Sequence, residues 1–354
     1  MKENNKSICL IGGGLSIGGQ ERAMVFLANE LAGRGWKVVI VLLFKTPIEF
    51  KLSPLIEVHF PEIVRNDFSR FVYAFKIIPF IRGLIKKEKP KSVICFGDWF
   101  NAFSIIATLG LSVKMVITNR MGPNLFLGNT VETLNKVFYR FASDVIVQTE
   151  RAKILIGNKY KTPKITVIPN PVELVKFERT ISKKQIISVG RLSKEKGQKT
   201  LIKAFSNLKE KEWTLHIVGD GFDRPSLEIL VKDLQIENRV VFHGKMYNFN
   251  SLLLESQIFV LPSLYEGFPN ALLEAMSFGL CCLASDCIAG PSEIIQNGLN
   301  GILFEPGNTE QLTKLLEKII EDNPLREQLA SNAAKSLERF DKNVIIQQFE
   351  KVLL

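Results

Sequence analysis

Two trains of short apolar runs, each run ending in a polar or glycine turn and followed by a helical pattern, constrain this chain more than any other feature. The first opens with SICLIG (residues 7–12) and a glycine loop. It then passes through QERAMVFLANELAGRG, whose apolar residues recur at helical spacing and which stops at Gly33 and Gly35, and returns as KVVIVLLF. Strands apolar on both faces belong to parallel sheets covered by helices, so this is a βαβ unit. SVICFGD, KMVITNR, DVIVQT and ITVIPNP continue the train. Pro169, Asn170 and Pro171 break it, and a polar stretch follows. The pattern then restarts with QIISVGR, TLHIVGDG, RVVFHG, IFVLPS, CCLASD and GILFEP. The expected fold is α/β: two doubly wound, Rossmann-like lobes, residues 1–170 and 171–354, facing a cleft at the carboxyl ends of their strands, with the last helix able to cross back to the first lobe. No fixed-period repeat or low-complexity tract interrupts this plan.

A chain of 354 residues with 46% hydrophobic content can bury a core in each lobe. The opening MKENNKSICLIGGG has too short an apolar run for the central region of a signal peptide, and the most apolar long stretch, Trp99 to Ile117, is interrupted by Asn101, Gly110 and Lys114. A soluble or peripheral protein is expected. The five cysteines form no CxxC pair and are odd in number, which argues against a disulfide framework or zinc site and fits a reducing cytoplasm. His59, His216 and His243 stand far apart in patterns that match no metal-ligand motif, so they are read as structural.

The formal charge of +10 is lopsided: residues 1–175 carry 24 Lys and Arg against 13 Asp and Glu, whereas residues 176–354 carry 22 against 23. A basic first half implies contact with nucleic acid, an anionic membrane face or a phosphorylated ligand. Between Phe68 and Lys91, four phenylalanines and several aliphatics are interleaved with Arg70, Lys76, Arg82, Lys86, Lys87, Lys89 and Lys91, the composition of a helix lying in a membrane interface. The alternative is a helix packed on the sheet, kinked by Pro79, with its lysines solvated.

Three segments carry chemistry. IGGGLSIGGQER is a strand-to-helix glycine loop whose amides can approach a phosphate or sugar. It misses the dinucleotide fingerprint because Ile17 stands where the third glycine belongs, and LLFKT at the end of the second strand lacks an acidic residue for a ribose. A nicotinamide-dependent oxidoreductase is therefore an alternative rather than the leading reading, and so is a basic nucleic-acid-binding protein, for which no reading helix or basic motif is visible. SVGRLSKEKG places Arg191 and Lys196 just past a strand, where a guanidinium fork and an ammonium could clamp a diphosphate. YEGFPNALLEAMSFG places Glu266 in a loop and Glu274 one turn into the helix that starts near Asn270, which is read as its cap. Ionised carboxylates accept hydrogen bonds from sugar and ribose hydroxyls, while loop and first-turn amides suit phosphate oxygens. Acidic residues near a helix start also simply favour the helix.

GRLSKEKG, VGDG, LPSLYEGFPNALLEAMSFG and SDCIAGPSEII, in this order, resemble the carboxy-terminal lobe of the retaining GT-B glycosyltransferases of family 4, and GGGLSIGGQER with its helix is similar to the same family's first lobe. The resemblance spans essentially the whole chain and is nearest to bacterial enzymes that build capsule, lipopolysaccharide or other lipid-linked glycans. It implies that Arg191 and Lys196 bind the donor diphosphate and that Glu266 holds donor-sugar hydroxyls. Gly267, Phe268 and Asn270 would line that pocket, Glu274 would take the ribose, Gly18 and Gly19 would shape the first lobe's loop, and Gly244, Lys245 and Met246 would border the base. Many relatives carry a first-lobe histidine where VITNRMGPN stands here, so Asn119, Arg120 and, from CFGDWFN, Asp98 are the acceptor-side candidates.

Breaking a sugar C1 to phosphate bond builds positive charge on the ring and negative charge on the diphosphate, and the site must stabilise both. No D-x-D metal motif occurs in the chain, so no cofactor and no metal are expected. The partners implied are a nucleotide-sugar donor, a UDP-hexose or UDP-N-acetylhexosamine, a glycan or lipid-linked glycan acceptor and an anionic membrane surface, but no nucleic acid. The implied location is the cytoplasm, peripheral to the inner membrane's cytoplasmic face.

Overall fold

The computed structural model describes residues 6–16, 18–63, 68–123, 125–174, 183–288 and 290–354, without the side chains of Arg70 and Phe71. Ile17, Asn124, the Arg70 side chain and residues 175–182 of the polar boundary stretch lie outside the described residues. The contacts fall into two units, Met1–Pro171 with Lys342–Leu354, and Val172–Asp341.

The first unit is a seven-stranded parallel sheet of β1 (Ser7–Gly12), β2 (Lys37–Leu42), β3 (Ile56–His59), β4 (Ser92–Phe96), β5 (Lys114–Thr118), β6 (Asp144–Val147) and β7 (Ile165–Val167), in the spatial order β3-β2-β1-β4-β5-β6-β7. Five helices connect them: α1 (Gly19–Gly33), α2 (Arg70–Glu88), α3 (Asn101–Thr108), α4 (Asn129–Phe138) and α5 (Glu150–Lys159). Side chains alternate along each strand, so Ile8, Leu10, Ile40 and Ile94 join a core with α1, while Cys9, Ile11, Val39 and Val93 join one with α2 and α3. The edge strand β3 has no counterpart in the sequence reading. Its residues are half-buried with Glu57 exposed, as a strand needs when only one neighbour covers it.

Of the two readings of the helix after Phe68, a membrane interface or packing on the sheet, the structure shows the second. Tyr73, Ala74, Ile77, Ile81, Leu84 and Ile85 of α2 are buried in the sheet's core, and Tyr73 donates its hydroxyl to the Leu43 carbonyl at 2.5 Å. Val72, Phe75, Lys76, Lys86 and Lys87 face solvent. Arg82 donates to the carbonyls of Ala107 and Leu109, at 3.0 and 2.7 Å, and so ties α2 to the end of α3.

The second unit is a six-stranded parallel sheet of β8 (Gln185–Val189), β9 (Thr214–Val218), β10 (Val240–Gly244), β11 (Ile258–Leu261), β12 (Cys281–Ser285) and β13 (Ile302–Phe304), ordered β10-β9-β8-β11-β12-β13. Its helices are α6 (Gln198–Ser206), α7 (Arg224–Asp233), α8 (Asn250–Glu255), α9 (Asn270–Ser277), α10 (Pro291–Ile294), α11 (Thr309–Glu321) and α12 (Asn323–Lys335). The order reverses between β8 and β11, and in open parallel sheets ligands bind at the carboxyl ends beside such a reversal. A last helix, α13 (Lys342–Leu353), returns to the first unit and buries Ile345, Ile346, Phe349, Val352 and Leu353 against the core of α1.

Candidate active site

At the reversal, β8 turns at once into the Arg191–Gly197 loop and the neighbouring β11 turns into the loop that carries Glu266. The Glu195 carbonyl accepts the amides of Leu264 at 2.8 Å and Tyr265 at 3.3 Å, which locks the two loops together. Gly197 makes the approach possible. It sits at φ +68°, and a Cβ there would strike the Pro262 carbonyl. Across this junction the Lys196 ammonium meets Glu266 Oε1 at 2.7 Å, and the Ser263 hydroxyl donates to the same oxygen at 2.6 Å. Glu266 is only 5% exposed. Ser263 is itself buried, and its carbonyl accepts the Ser285 hydroxyl from the end of β12.

The other expected donor-side residues surround this centre unequally. Arg191 is exposed, and its guanidinium makes no hydrogen bond to a described residue, so it is available to an anion. Glu274 is half-buried one turn into α9, and Gly267 is half-buried in the preceding loop. Asn270 is the first helical residue rather than the cap: Pro269 occupies the cap position, and no side chain bonds there. The Phe268 ring is buried against Phe340, with centroids 6.2 Å apart, so what Phe268 offers a ligand is backbone. The Gly244 carbonyl accepts the Gly219 amide at 2.8 Å, Met246 packs on the core, and Lys245 is exposed with its ammonium 5.6 Å from the Tyr247 ring.

In the first unit, Gly18 adopts an extended conformation ahead of Gly19, which begins α1, and a Cβ on Gly18 would overlap the Glu21 carboxylate. Asp98, just past β4, is fully buried. Its Oδ2 accepts the amides of Met121 at 3.0 Å and Arg120 at 3.2 Å. Burial pushes its carboxyl up to about 6, against the pull of those amides and of the Arg120 charge. Arg120, just past β5, donates to Asn170 Oδ1 at 2.5 Å, and its guanidinium lies over the Phe96 and Phe349 rings. Burial pulls it down to about 10, with Asp98 opposing. The Asn119 amide donates to the Ile146 carbonyl at 2.8 Å, and its side chain is buried. All three acceptor-side candidates are thus buried: Asn119 is held through its backbone amide, and Asp98 and Arg120 brace the loop after β5 through side-chain hydrogen bonds. Glu132 braces its far end, accepting the Leu127 amide, the Lys159 ammonium and the Tyr160 hydroxyl at 3.2, 2.7 and 2.7 Å. Met121, Leu125 and Phe126 project from the loop between these two anchors.

Ser263, three residues before its partner Glu266, carries no site signal in the sequence because a lone loop serine does not announce a contact. Asn170 and Glu132 carry none because their partners, Arg120 for the one and Lys159 and Tyr160 for the other, lie far along the chain. The same applies to the histidines: His216 on β9 and His243 on β10 meet at 2.9 Å with stacked rings. All five cysteines are buried free thiols. Among the described residues no cluster of three metal-ligating side chains occurs, and no helix is long and apolar enough to cross a membrane.

Residues 17–176 match the family model described as Glycosyltransferase Family 4, and residues 173–336 match Glycosyl transferases group 1. A Haemophilus influenzae protein described as an uncharacterized glycosyltransferase is 30% identical over 347 residues, covering 96% of this chain and 97% of its own. The Campylobacter jejuni GalNAc-α-(1→4)-GalNAc-α-(1→3)-diNAcBac-PP-undecaprenol α-1,4-N-acetyl-D-galactosaminyltransferase is 27% identical over 349 residues, 96% of each chain. Among solved structures, Anabaena Alr3699/HepE in complex with UDP and glucose has the same fold, with a TM-score of 0.80 at 21% identity over 98% of this chain and 99% of that one.

Proposed function

This chain belongs to the GT-B glycosyltransferases, and from that premise we propose that it transfers a hexose or N-acetylhexosamine from a UDP-sugar to a glycan or lipid-linked glycan, with retention of configuration, in bacterial cell-surface polysaccharide synthesis. Family membership displaces the oxidoreductase and nucleic-acid readings. The observation that carries the proposal is the Lys196–Glu266–Ser263 constellation at the carboxyl ends of β8 and β11. The UDP and glucose of the Anabaena complex and the undecaprenol-linked acceptor in the Campylobacter enzyme's name support the donor and acceptor classes.

In this reading Arg191 and Lys196 neutralise the departing diphosphate, and Glu266 accepts hydrogen bonds from donor-sugar hydroxyls. The backbone of Gly267 to Asn270 borders the sugar, and Glu274 accepts from the ribose. Gly244 to Met246 border the base, and Gly18 and Gly19 shape the first unit's phosphate-side loop. Asp98, Asn119 and Arg120 act on the acceptor side by holding the loop after β5. Fixed charges in place before reaction need no reorganisation as C1 loses its leaving group, which is where such sites derive most of their rate. Two protein cations at the diphosphate, with no D-x-D motif in the sequence, make the reaction independent of a metal ion.

A thermal-shift screen of nucleotide sugars identifies the donor, since a ligand at 100 times its Kd adds about 2.7 kcal/mol of stability. With that donor, UDP release in EDTA should proceed at the rate seen with magnesium. Glu266→Gln and Arg191→Ala should each reduce it about 100- to 1,000-fold while leaving the fold intact by circular dichroism. Near-normal turnover in either variant overturns the assignment, and activity that only magnesium or manganese restores overturns the metal-independent reading.

A further inference from the structure

We infer that Ser263 is a positioning residue that aims Glu266 at the donor sugar while Lys196 is engaged by the diphosphate; the inference rests on the reading of Glu266 given above. Both hydrogen bonds to Glu266 converge on Oε1, one from Lys196 at 2.7 Å and one from Ser263 at 2.6 Å. No described residue donates to Oε2, which leaves that oxygen as the acceptor for a sugar hydroxyl.

The two donors differ in what a nucleotide does to them. Lys196 carries its charge at the end of a flexible four-carbon stem, with about a quarter of its side chain exposed. A diphosphate carries more charge than one carboxylate and draws the ammonium toward itself. Ser263 is a neutral hydroxyl on a short side chain, 1% exposed, three residues before Glu266. Its backbone is fixed by the Ser285 hydroxyl on its carbonyl and by the Pro262 carbonyl packed against Gly197. An anion has no charge to pull there and no path to the group. When the diphosphate loads Lys196, the Ser263 bond is the one that keeps Oε1 turned inward and Oε2 toward the sugar. Without it, the carboxylate is free to rotate about its last torsion and to follow the lysine.

The test separates binding of the nucleotide from recognition of the sugar. Calorimetry measures the ratio of the Kd for UDP to that for each of UDP-glucose, UDP-galactose, UDP-N-acetylglucosamine and UDP-N-acetylgalactosamine, and UDP release measures kcat and KM. Ser263→Ala should bind UDP as the wild type does, lose the affinity increment due to the sugar, and lower kcat about 10- to 100-fold, the range that loss of an orienting partner costs at other preorganised sites. Ser263→Thr, which keeps the hydroxyl, should recover most of that loss. In a Glu266→Gln background, Ser263→Ala should have no further effect, a coupling that a general loss of packing does not produce. If Ser263→Ala keeps its sugar increment and kcat while Glu266→Gln is inactive, or if the two substitutions multiply, the positioning role is wrong and the reading of Glu266 stands. If Glu266→Gln itself turns over normally, the underlying reading fails first.

Discussion

Burial shifts the pKa of Asp98 and of His216 in opposite directions, each toward its neutral form. Burial raises Asp98 from 3.8 to about 6, whereas burial and then the neighbouring His243 lower His216 from 6.5 to about 4. The unfolded chain gives up the Asp98 proton near pH 3.8 but the folded protein keeps it to about 6, so this contribution to stability is present at low pH and is lost as pH rises through 6. His216 runs the other way. The unfolded chain takes a proton below 6.5 and the folded protein only near 4, so its contribution is present above 6.5 and is lost as pH falls. The two slopes oppose each other across the same acidic window. Melting temperatures followed by circular dichroism between pH 4 and pH 7 should therefore rise more steeply with pH in Asp98→Asn than in the wild type, and less steeply in His216→Gln. Profiles parallel to the wild type would show that neither group titrates as its burial dictates.

Among the elements, the loops after β8 and β11 act as one body because Gly197 lets them touch. An alanine there must hold a positive φ, which costs roughly 1–2 kcal/mol, and must also displace the Pro262 carbonyl. Gly298 is the natural control: its φ is +80°, and a Cβ would meet nothing within 4 Å. Gly298→Ala should lower stability by about 1 kcal/mol and leave the thermal shift with UDP-sugar intact. Gly197→Ala should lose more stability and most of that shift, since Lys196 moves with the loop. Equal behaviour of the two variants would mean that the loops do not depend on their contact.

On the scale of the whole molecule, the excess positive charge of the first half takes on a narrower meaning once α2 is seen to bury its apolar face. What α2 leaves outside is a short apolar patch at Val72 and Phe75 and a basic end at Lys86, Lys87 and Lys89. We propose that membrane association, where a lipid-linked acceptor requires it, is electrostatic first. Each lysine near an anionic surface contributes about 1 kcal/mol, screened over roughly 8 Å at physiological salt. Purified protein should sediment with anionic but not neutral liposomes, less so in high salt and less so when Lys86, Lys87 and Lys89 are replaced by glutamate. Equal sedimentation with both liposome types, or none with either at low salt, would favour an acceptor taken from solution.

The strands of both sheets were legible because a parallel strand buried on two faces must be apolar at nearly every position, and that demand is local. β3 escaped for the converse reason, since an edge strand covered on one side can keep Glu57 in solvent. Arg191, Lys196 and Glu266 could be singled out by residue type and by their place after a strand. That Lys196 and Ser263 share one oxygen of Glu266 could not, because a contact spanning 70 residues depends on two strands lying side by side and on a glycine between their loops. Arg120 and Asp98 are candidates by their place at strand ends, and only the tertiary structure shows both buried, with Phe349 of the returning α13 against the Arg120 guanidinium and the Arg120 and Met121 amides on Asp98. Local sequence determined which segments are strands, β3 excepted, and which side chains are candidates for the chemistry. The tertiary structure alone decided which of those side chains face one another, because burial and pairing depend on neighbours that the chain brings together only by folding.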